Sequence, residues 1–162
     1  QSEDPCLILI PKHIFRKRVD VKTVEPVPFG KAKVVRSGTD VTLVTYGNTL
    51  ELAHEAADKL AGEVSVEIID LRSVVPCDYA TIAASLETTG RLVVLQEDTR
   101  TCGFAQAVIA EVTSDPDKFN LLLAAPQLVS RGDVHIGYNP IYEYAALPDT
   151  DEVIAAIRKT ME

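Results

Sequence analysis

Residues Thr88–Val112, TTGRLVVLQEDTRTCGFAQAVIAEV, are the stretch of sequence that decides the fold. The apolar run Leu92–Leu95 follows a turn at Gly90 and contains no polar residue. Such a run predicts a strand buried on both faces of a parallel sheet. A charged loop and a helix led by Gly103 come next, and loops at the carboxyl ends of parallel strands are where open α/β sheets form their binding crevices.

Working outward from this stretch, strand and helix patterns alternate along the chain, which is typical of a three-layer α/β/α sandwich around a mainly parallel sheet. Residues 131–148, rich in glycine and proline, are predicted to be a loop. The predicted strands are Lys33–Arg36, Val41–Tyr46, Val66–Asp70, Leu92–Glu97 and part of Pro126–Ser130, and the predicted helices are Leu50–Gly62, Tyr79–Glu87, Phe104–Thr113 and Thr150–Thr160.

Local signals refine these elements. The turn residues 37–40, SGTD, predict a hairpin that makes the first strand an antiparallel edge strand. Asn48 followed by Glu51 predicts a capping box for the first helix, with Gly62 as its end. Asp78 and either Asp149 or Thr150 are predicted to cap the second and last helices.

The amino-terminal part of the chain reads differently from the body. Residues 5–16, PCLILIPKHIFR, begin with four consecutive aliphatic residues that predict a strand ending at Pro11, and residues 17–31 predict an extended linker. The compact body is expected to span residues 32–162. Because the lone strand has no partner in this sequence, we expect the chain to be a piece of a longer protein.

Charge is distributed unevenly. The chain has a net charge of −8, made up of +4 over residues 1–36 and −12 over residues 37–162. The acidic body argues against nucleic-acid binding and favours either simple solubility or an acidic surface for a basic partner protein. No apolar run approaches the roughly 20 residues of a membrane helix. The three cysteines form neither a disulfide framework nor a metal motif, which favours an intracellular setting.

Several polar groups could carry chemistry, and each has a structural alternative. Residues 47–49, GNT, could hold a phosphate at a helix start, but a tight turn explains the glycine. Glu97, Asp98 and Arg100 could supply paired carboxylates, but an arginine–carboxylate bridge is favoured because no nucleophile accompanies them. Asp70 and Arg72 are interpreted in the same way.

The segment RGDVHIGYNP holds the best candidate for a functional histidine, His135. Asp133 could pair with it, although alternate residues of an extended segment face opposite sides, so a structural loop is favoured. His54 is interpreted as a helix histidine and not as a catalyst. Tyr138, Tyr142 and Tyr144 provide amphipathic surface of the kind common at subunit contacts.

Taken together, five phrases resemble the β-type half of the decarboxylating first component of 2-oxoacid dehydrogenase complexes, most of all the branched-chain (2-oxoisovalerate) members. In family order they are PCLILIPKHIFR, PFGKAKVVRSGTDVTLVTYGNTL, EIIDLRSVVPCD, TGRLVVLQEDTRTCGFAQAVIAEV and ALPDTDEVIAAIRK, and they cover nearly the whole chain. Three features depart from the family: Ile10 stands at a common glutamate, Cys102 at the first glycine of TGGF, and DVHIGYNP at a proline-rich loop.

The resemblance implies a transketolase-type C-terminal domain with a mixed five-stranded sheet whose first strand is antiparallel, and it makes residues 1–16 the last strand of a pyrimidine-binding domain. It implies a parent enzyme that uses thiamine diphosphate and Mg²⁺, both bound outside this chain. No catalytic, cofactor-binding or metal residue is therefore expected here. The enzyme would act in the bacterial cytoplasm or the mitochondrial matrix.

The role that the resemblance leaves to this chain is assembly. The implied partners are an α-type subunit or a fused α part, a second β-type domain and the dihydrolipoyl acyltransferase core. The residues expected at partner interfaces are Glu97, Arg100, His135, Tyr138 and Tyr142. Two alternatives stay open: the C-terminal domain of a transketolase or deoxyxylulose phosphate synthase, and a stand-alone flavodoxin-like module with a ligand at Gly47–Thr49.

Overall fold

The computed structural model describes residues 3–12, 15, 18, 20 and 26–162. Its centre is a five-stranded mixed sheet in the order β1-β3-β2-β4-β5, in which only the β1–β3 pairing is antiparallel. The strands are β1 (Lys33–Arg36), β2 (Val41–Thr45), β3 (Val66–Asp70), β4 (Leu92–Thr99) and β5 (Gln127–Arg131), and the helices are α1 (Thr49–Lys59), α2 (Tyr79–Thr89), α3 (Phe104–Ser114), α4 (Pro116–Phe119), α5 (Pro140–Ala146) and α6 (Thr150–Lys159).

Both faces of the sheet are covered, so the three-layer α/β/α prediction is confirmed. Consecutive strand residues point to opposite faces, as Val93 and Val94 do on β4. Val93 belongs to a core with α1 and α6, where Ala53, Ala57 and Ile157 are buried. Val94 belongs to a second core with α2 and α3. The uninterrupted apolar strands follow from this double burial.

The predicted edge strand is antiparallel, but the predicted hairpin is wrong, because β1 pairs with β3 and not with β2. The 37–40 turn lies against the start of β3. A Cβ on Gly38 would come within 2.2 Å of the Glu67 nitrogen, and the backbone nitrogens of Thr39 and Asp40 both donate to the Ser65 carbonyl. The turn therefore carries the chain past β3 into the middle of the sheet.

Most predicted helix limits are close to the observed ones, but α1 differs at both ends. Asn48 is helical and makes no capping bond with its side chain, so the predicted capping box is absent. The helix ends at Lys59 and not at Gly62, which lies in the following turn with φ of 89°. The caps of Asp78 on α2 and Asp149 on α6 are confirmed, the latter as a full capping box with Glu152.

The predicted loop 131–148 is wrong in its second half, which forms α5. Asn139 caps this helix by accepting from the Ile141 nitrogen at 2.9 Å, and Pro140 occupies its first turn. Proline is favoured there because the first helical N–H groups have no intrahelical acceptor. The short helix α4 was not predicted either.

No strand is assigned to Leu7–Ile10, the aliphatic run predicted to be one. All four of its side chains are exposed, from 62% at Ile10 to 86% at Leu7. Parts of the predicted 1–16 and 17–31 segments lie outside the described residues. The assignment of residues 1–16 to a strand of another domain therefore stays a prediction.

Candidate partner interface

The residues that follow the buried part of β4 are arranged around one amide side chain. Gln96 is fully buried. Its Oε1 accepts from the Ala105 nitrogen at 2.7 Å and from the Tyr46 hydroxyl at 3.2 Å, while its Nε2 donates to the Thr99 carbonyl at 2.7 Å. The amide thus joins Tyr46, which directly follows β2, to the start of α3 and to residues 97–103. These residues comprise the end of β4 and the turn after it, and we call them the 97–103 turn, whose path the amide fixes.

Two neighbouring residues in the 97–103 turn make this arrangement possible. A Cβ on Gly103 would lie 2.0 Å from the Gln96 Nε2 and 2.3 Å from the Thr99 carbonyl oxygen, so only glycine fits there. Cys102 has φ of 61°, in the left-handed region that favours glycine. The backbone therefore explains why glycine is suited to both positions, although a cysteine occupies one of them.

At the α1 side of this surface, Asn48 Nδ2 donates to Glu97 Oε2 at 2.5 Å. The charge-assisted bond holds the Asn48 side chain away from the capping position. It also brings a carboxylate to the first turn of α1, where negative charge is favourable. A phosphate at Gly47–Thr49 would meet this carboxylate, so the geometry does not favour the phosphate-site interpretation.

On its other side, the 97–103 turn is tied to the segment after β5. Thr101 donates to Asp133 twice, from its nitrogen at 2.9 Å and from its hydroxyl at 2.5 Å. These bonds, first that from the hydroxyl, hold the pKa of the Asp133 carboxyl below its usual value. Because both Asp133 oxygens serve Thr101, the interpretation of Asp133 as a structural residue is supported over an acid–histidine pair.

Arg131, at the end of β5, is a second connection between the same two segments. Its guanidinium donates to the Val134 carbonyl at 2.6 Å and lies 3.7 Å from Asp98, and its carbonyl accepts from the Arg100 nitrogen at 3.1 Å. The bridge predicted among Glu97, Asp98 and Arg100 is therefore wrong in its arginine, because Asp98 lies beside Arg131 and no ion pair of Arg100 is found among the described residues. Both Arg100 and Glu97 keep exposed side chains.

Beyond these connections, residues 134–144 expose six large apolar side chains, and we call this set the aromatic face. Its side chains range from 42% exposed at Ile136 to complete exposure at Tyr138, and Glu143 is the only Asp, Glu, Lys or Arg within residues 134–144. Beside it is a groove of about 510 Å³ that His135 helps to line. The aromatic face consists of Val134, Ile136, Tyr138, Ile141, Tyr142 and Tyr144.

The structure thus brings Arg100, His135, Tyr138 and Tyr142 onto segments that hydrogen bonds connect, and places Glu97 at the α1 edge of the same turn. The sequence analysis missed Gln96, Thr101 and Arg131. Only Gln96 gave a usable signal, because it is a polar residue that directly extends a fully apolar strand pattern.

The remaining candidate groups have structural roles. Arg72 Nε donates to the buried Asp70 at 2.9 Å, which is the predicted bridge. His54 is half-buried on α1. Burial, followed by the nearby Asp78 charge, raises the pKa of the half-buried Cys77 thiol to about 11, so the thiol is protonated at neutral pH.

Within the described part of the chain, no three histidine, cysteine, aspartate or glutamate side chains are grouped to hold a metal ion. None of the helices in that part combines the length and the apolar character needed to cross a membrane.

Comparison with known proteins agrees with this architecture. The model of the family "Transketolase, C-terminal domain" matches residues 30–153. The chain is also similar over 83% of its length, at 27% identity and a TM-score of 0.69, to a solved structure titled "Split gene transketolase, inactive beta4 tetramer", of which it covers 43%. A 2-oxoglutarate:ferredoxin oxidoreductase from Magnetococcus marinus, at 16% identity and a TM-score of 0.53, shares the fold.

Curated relatives extend the similarity to both ends of the chain. It is 37% identical over 161 residues to a pyruvate dehydrogenase E1 component subunit beta of Rickettsia bellii, covering 98% of this chain and 49% of the relative. It is 39% identical over 163 residues to a 3-methyl-2-oxobutanoate dehydrogenase subunit beta of Mycobacterium tuberculosis, covering 98% and 45%.

A third relative carries a different activity in its name. The chain is 35% identical over 164 residues to the beta subunit of an acetoin:2,6-dichlorophenolindophenol oxidoreductase of Cupriavidus necator, covering 100% of this chain and 48% of the relative. The chain therefore spans about half the length of the curated relatives that it matches. Its five-stranded mixed sheet and the family match over residues 30–153 show that the chain belongs to the transketolase C-terminal domain family.

Proposed function

We propose that this chain is the assembly and partner-docking domain of the β-type part of a thiamine-dependent 2-oxoacid dehydrogenase, and that the substrate of the parent enzyme is 2-oxoisovalerate. Relatives named as beta subunits of pyruvate and 3-methyl-2-oxobutanoate dehydrogenases support the enzyme class. The resemblance of the PCLILIPKHIFR segment to branched-chain members supports the substrate.

The observation that carries the docking role is the aromatic face beside the 97–103 turn. Large aromatic side chains with few charges are typical of the centres of protein interfaces, and a polar rim surrounds such centres. Here Tyr138 and Tyr142 provide the aromatic centre, while Glu97, Arg100 and His135 provide polar groups for the rim. We propose that these five residues contact partners.

Three partners fit the proposal. They are an α-type subunit or fused α part, a second β-type domain, and the acyltransferase core, whose basic subunit-binding domain would complement the net charge of −12 over residues 37–162. Self-association has a parallel in the related split-gene transketolase chain, whose title names a beta4 tetramer.

The cofactors of the parent enzyme are proposed to be thiamine diphosphate and Mg²⁺. The described residues offer no grouped metal ligands, and Glu97 lies at the one candidate phosphate site. We assign the binding of the cofactor to other parts of the parent enzyme. We propose the bacterial cytoplasm or the mitochondrial matrix as its location, and a mitochondrial relative exists in Arabidopsis thaliana.

Calorimetric titration of the chain with the subunit-binding domain of a 2-oxoisovalerate complex tests the docking role. Replacing both Tyr138 and Tyr142 by serine should weaken binding by about tenfold or more, because truncated aromatic anchors dominate interface losses. Phe119→Ser is the matched control, since Phe119 is a 54% exposed aromatic residue on α4 and does not belong to the aromatic face.

Equal affinity of the wild type and of the Tyr138, Tyr142 double variant for the subunit-binding domain would refute the assignment of docking to the aromatic face. Absence of binding to every one of the three partners would refute the docking role itself. Turnover of 2-oxoisovalerate by the chain with thiamine diphosphate and the acyltransferase would refute the assignment of catalysis to other parts of the enzyme.

A transketolase C-terminal domain is the second candidate, and the split-gene transketolase structure favours it. The parent protein would then act on sugar phosphates, as would a deoxyxylulose phosphate synthase. Assay of the parent enzyme with 2-oxoisovalerate and with a ketose phosphate separates these candidates. A flavodoxin-like ligand site at Gly47–Thr49 is the least supported, because Glu97 lies there.

A further inference from the structure

The junction between the predicted linker and the body, residues 30–32, is fixed by two hydrogen bonds. The Gly30 nitrogen donates to the Ser73 hydroxyl at 3.1 Å, and the Ala32 nitrogen donates to Asp78 Oδ2 at 3.1 Å. Ser73 and Asp78 lie on the loop between β3 and α2, and both are buried. The entry of the chain into β1 is thus held by side chains that are more than 40 residues away in sequence.

The backbone at Gly30 is shaped for this contact. Its φ is 76°, and a Cβ there would come within 2.8 Å of Pro76 Cγ. Glycine is therefore needed both for the left-handed conformation and for the close approach to the 73–78 loop.

Asp78 has a second task, because it also caps α2. Its Oδ1 accepts from the Thr81 nitrogen at 3.3 Å, and its Oδ2 accepts from the Thr81 hydroxyl at 2.9 Å. Lys31 Nζ lies 3.7 Å from the same carboxylate, whose side chain is only 4% exposed. One buried carboxylate therefore serves the first turn of a helix and the entry of the linker at the same time.

We infer that Asp78 is a latch that couples α2 to the linker and thereby fixes the direction in which residues 26–29 approach the sheet. An ordinary flexible linker would reorient freely about its last residue before the domain. Here two hydrogen bonds and a close glycine–proline contact replace that freedom with a defined geometry. The inference is independent of the proposed function, since it concerns the orientation of residues 26–29 relative to the sheet and not what the domain binds.

The charge state of Asp78 suits this role. Burial raises the pKa of Asp78, but the bonds from Ala32 and Thr81 and the charge of Lys31 outweigh burial and bring the pKa below its usual value. The latch is therefore a carboxylate at neutral pH and can accept all of these bonds.

The test is residue-resolved amide hydrogen exchange in the whole chain carrying Asp78→Ser. Serine is a good helix cap, so α2 keeps a cap while the second carboxylate oxygen, which holds Ala32, is lost. Exchange of the Ala32 amide should accelerate about tenfold, while the amides in the second half of α2 should change less than about twofold. Asp149→Ser is the matched control, because Asp149 caps α6 and, among the described residues, makes no hydrogen bond to the linker.

Unchanged exchange at Ala32 in Asp78→Ser, or the same acceleration at Ala32 in Asp149→Ser, would overturn the latch. Ser73→Ala covers the case in which Asp78→Ser does not fold, because it removes a linker bond without touching a cap. It should accelerate exchange at Gly30 several-fold and leave α2 unchanged. No acceleration there would count equally against the inference.

Residual dipolar couplings of the Val27 and Phe29 amides test the orientation directly. In the wild type, we expect values that fit the alignment tensor of the body, and in the latch variant values reduced by about half or more, because motion averages the couplings. Near-zero couplings in the wild type, or equal couplings in the wild type and the variant, would contradict a fixed approach.

Discussion

The two segments that form the candidate interface are ordered by opposite means. The 97–103 turn is held from the core by Gln96, a fully buried amide that makes hydrogen bonds to Ala105, Thr99 and Tyr46. The segment that leads into the aromatic face is held by hydrogen bonds between exposed residues, chiefly those from Thr101 to Asp133. The first is thus anchored in the core, whereas residues 134–144, although they include the capped helix α5, bury none of their side chains. An interface built in this way has a fixed half and a half that can adapt to a partner.

The largest test of this difference removes the buried amide. Gln96→Leu keeps the side-chain size but leaves the Ala105 nitrogen and the Thr99 carbonyl without partners. We expect a loss of about 2–4 kcal/mol in the free energy of unfolding, because the buried Ala105 nitrogen is left unpaired and the partly buried Thr99 carbonyl loses its donor. Urea unfolding measures it, with the exposed α3 residue Gln106 changed to leucine as the control. A loss below about 0.5 kcal/mol, the usual size of a surface effect, would show that Gln96 does not organise the turn.

A smaller effect is expected from the hydroxyl that supports Gln96. Tyr46→Phe should cost about 0.5–1.5 kcal/mol, the usual net value of one hydrogen bond. Tyr144→Phe, on the exposed aromatic face, should leave the free energy of unfolding unchanged within about 0.5 kcal/mol. Equal losses of unfolding free energy in Tyr46→Phe and Tyr144→Phe would contradict the division of the candidate interface into a fixed and an adaptable half.

The same hydroxyl gives a pH signature. Burial, followed by the charge of Asp98, raises the pKa of Tyr46 to about 12. With an unfolded value of about 10, the stability that the protonated hydroxyl contributes is complete below about pH 10 and is lost as the pH rises to about 12. The difference in unfolding free energy between wild type and Tyr46→Phe should shrink over that range. A constant difference from pH 9 to pH 12 would contradict the raised pKa.

Replacing Cys102, whose backbone is in the left-handed conformation, by glycine should stabilise the protein. Cys102→Gly is expected to increase the free energy of unfolding by about 0.5–1 kcal/mol, because the left-handed conformation is costly for any residue with a Cβ. Cys102→Ala keeps the Cβ and should change little, so the pair isolates the backbone effect from the loss of the thiol. Thermal unfolding measures both, and equal midpoints for the two variants would disprove the strain.

The smallest effect is expected at Asp133. Because hydrogen bonds from Thr101 lower its pKa, the bonds to Thr101 should persist down to about pH 4 and weaken only as the pH falls further. Amide exchange of Thr101, corrected for its intrinsic pH dependence, should therefore accelerate below about pH 4, and Asp133→Asn should remove this acid step. Global stability should change little, since the carboxylate is exposed. If exchange at Thr101 still accelerated below about pH 4 in Asp133→Asn, the group that titrates would not be Asp133.

The three layers could be predicted from the sequence, because a strand that is buried on both faces is apolar without interruption, as Leu92–Leu95 is. The sequence also predicted the caps Asp78 and Asp149, since each accepts from the backbone nitrogen three residues ahead, in the first turn of its own helix. It failed where distant residues compete. Asn48 bonds to Glu97 and not to its own helix, and the 37–40 turn follows Ser65 and not a hairpin partner.

The candidate interface could be predicted in part for the same reason. Exposed tyrosines and charges after a buried strand are visible in the sequence, whereas the bonds that join the two segments are not. Thr101 and Asp133 are 32 residues apart, and nothing in either local pattern indicates that they meet. The helix α5 was predicted as a loop because glycine and proline dominate its approach, although Asn139–Pro140 is itself a helix start.

The most direct test of the proposed docking surface is hydrogen exchange of the chain, alone and saturated with the basic subunit-binding domain of a 2-oxoisovalerate complex. We predict slower exchange within residues 97–101 and 134–144, with the larger change in the second range, which has no buried side chain. Protection confined to α2 and α4, or no protection at saturation, would contradict the assignment of partner docking to this surface.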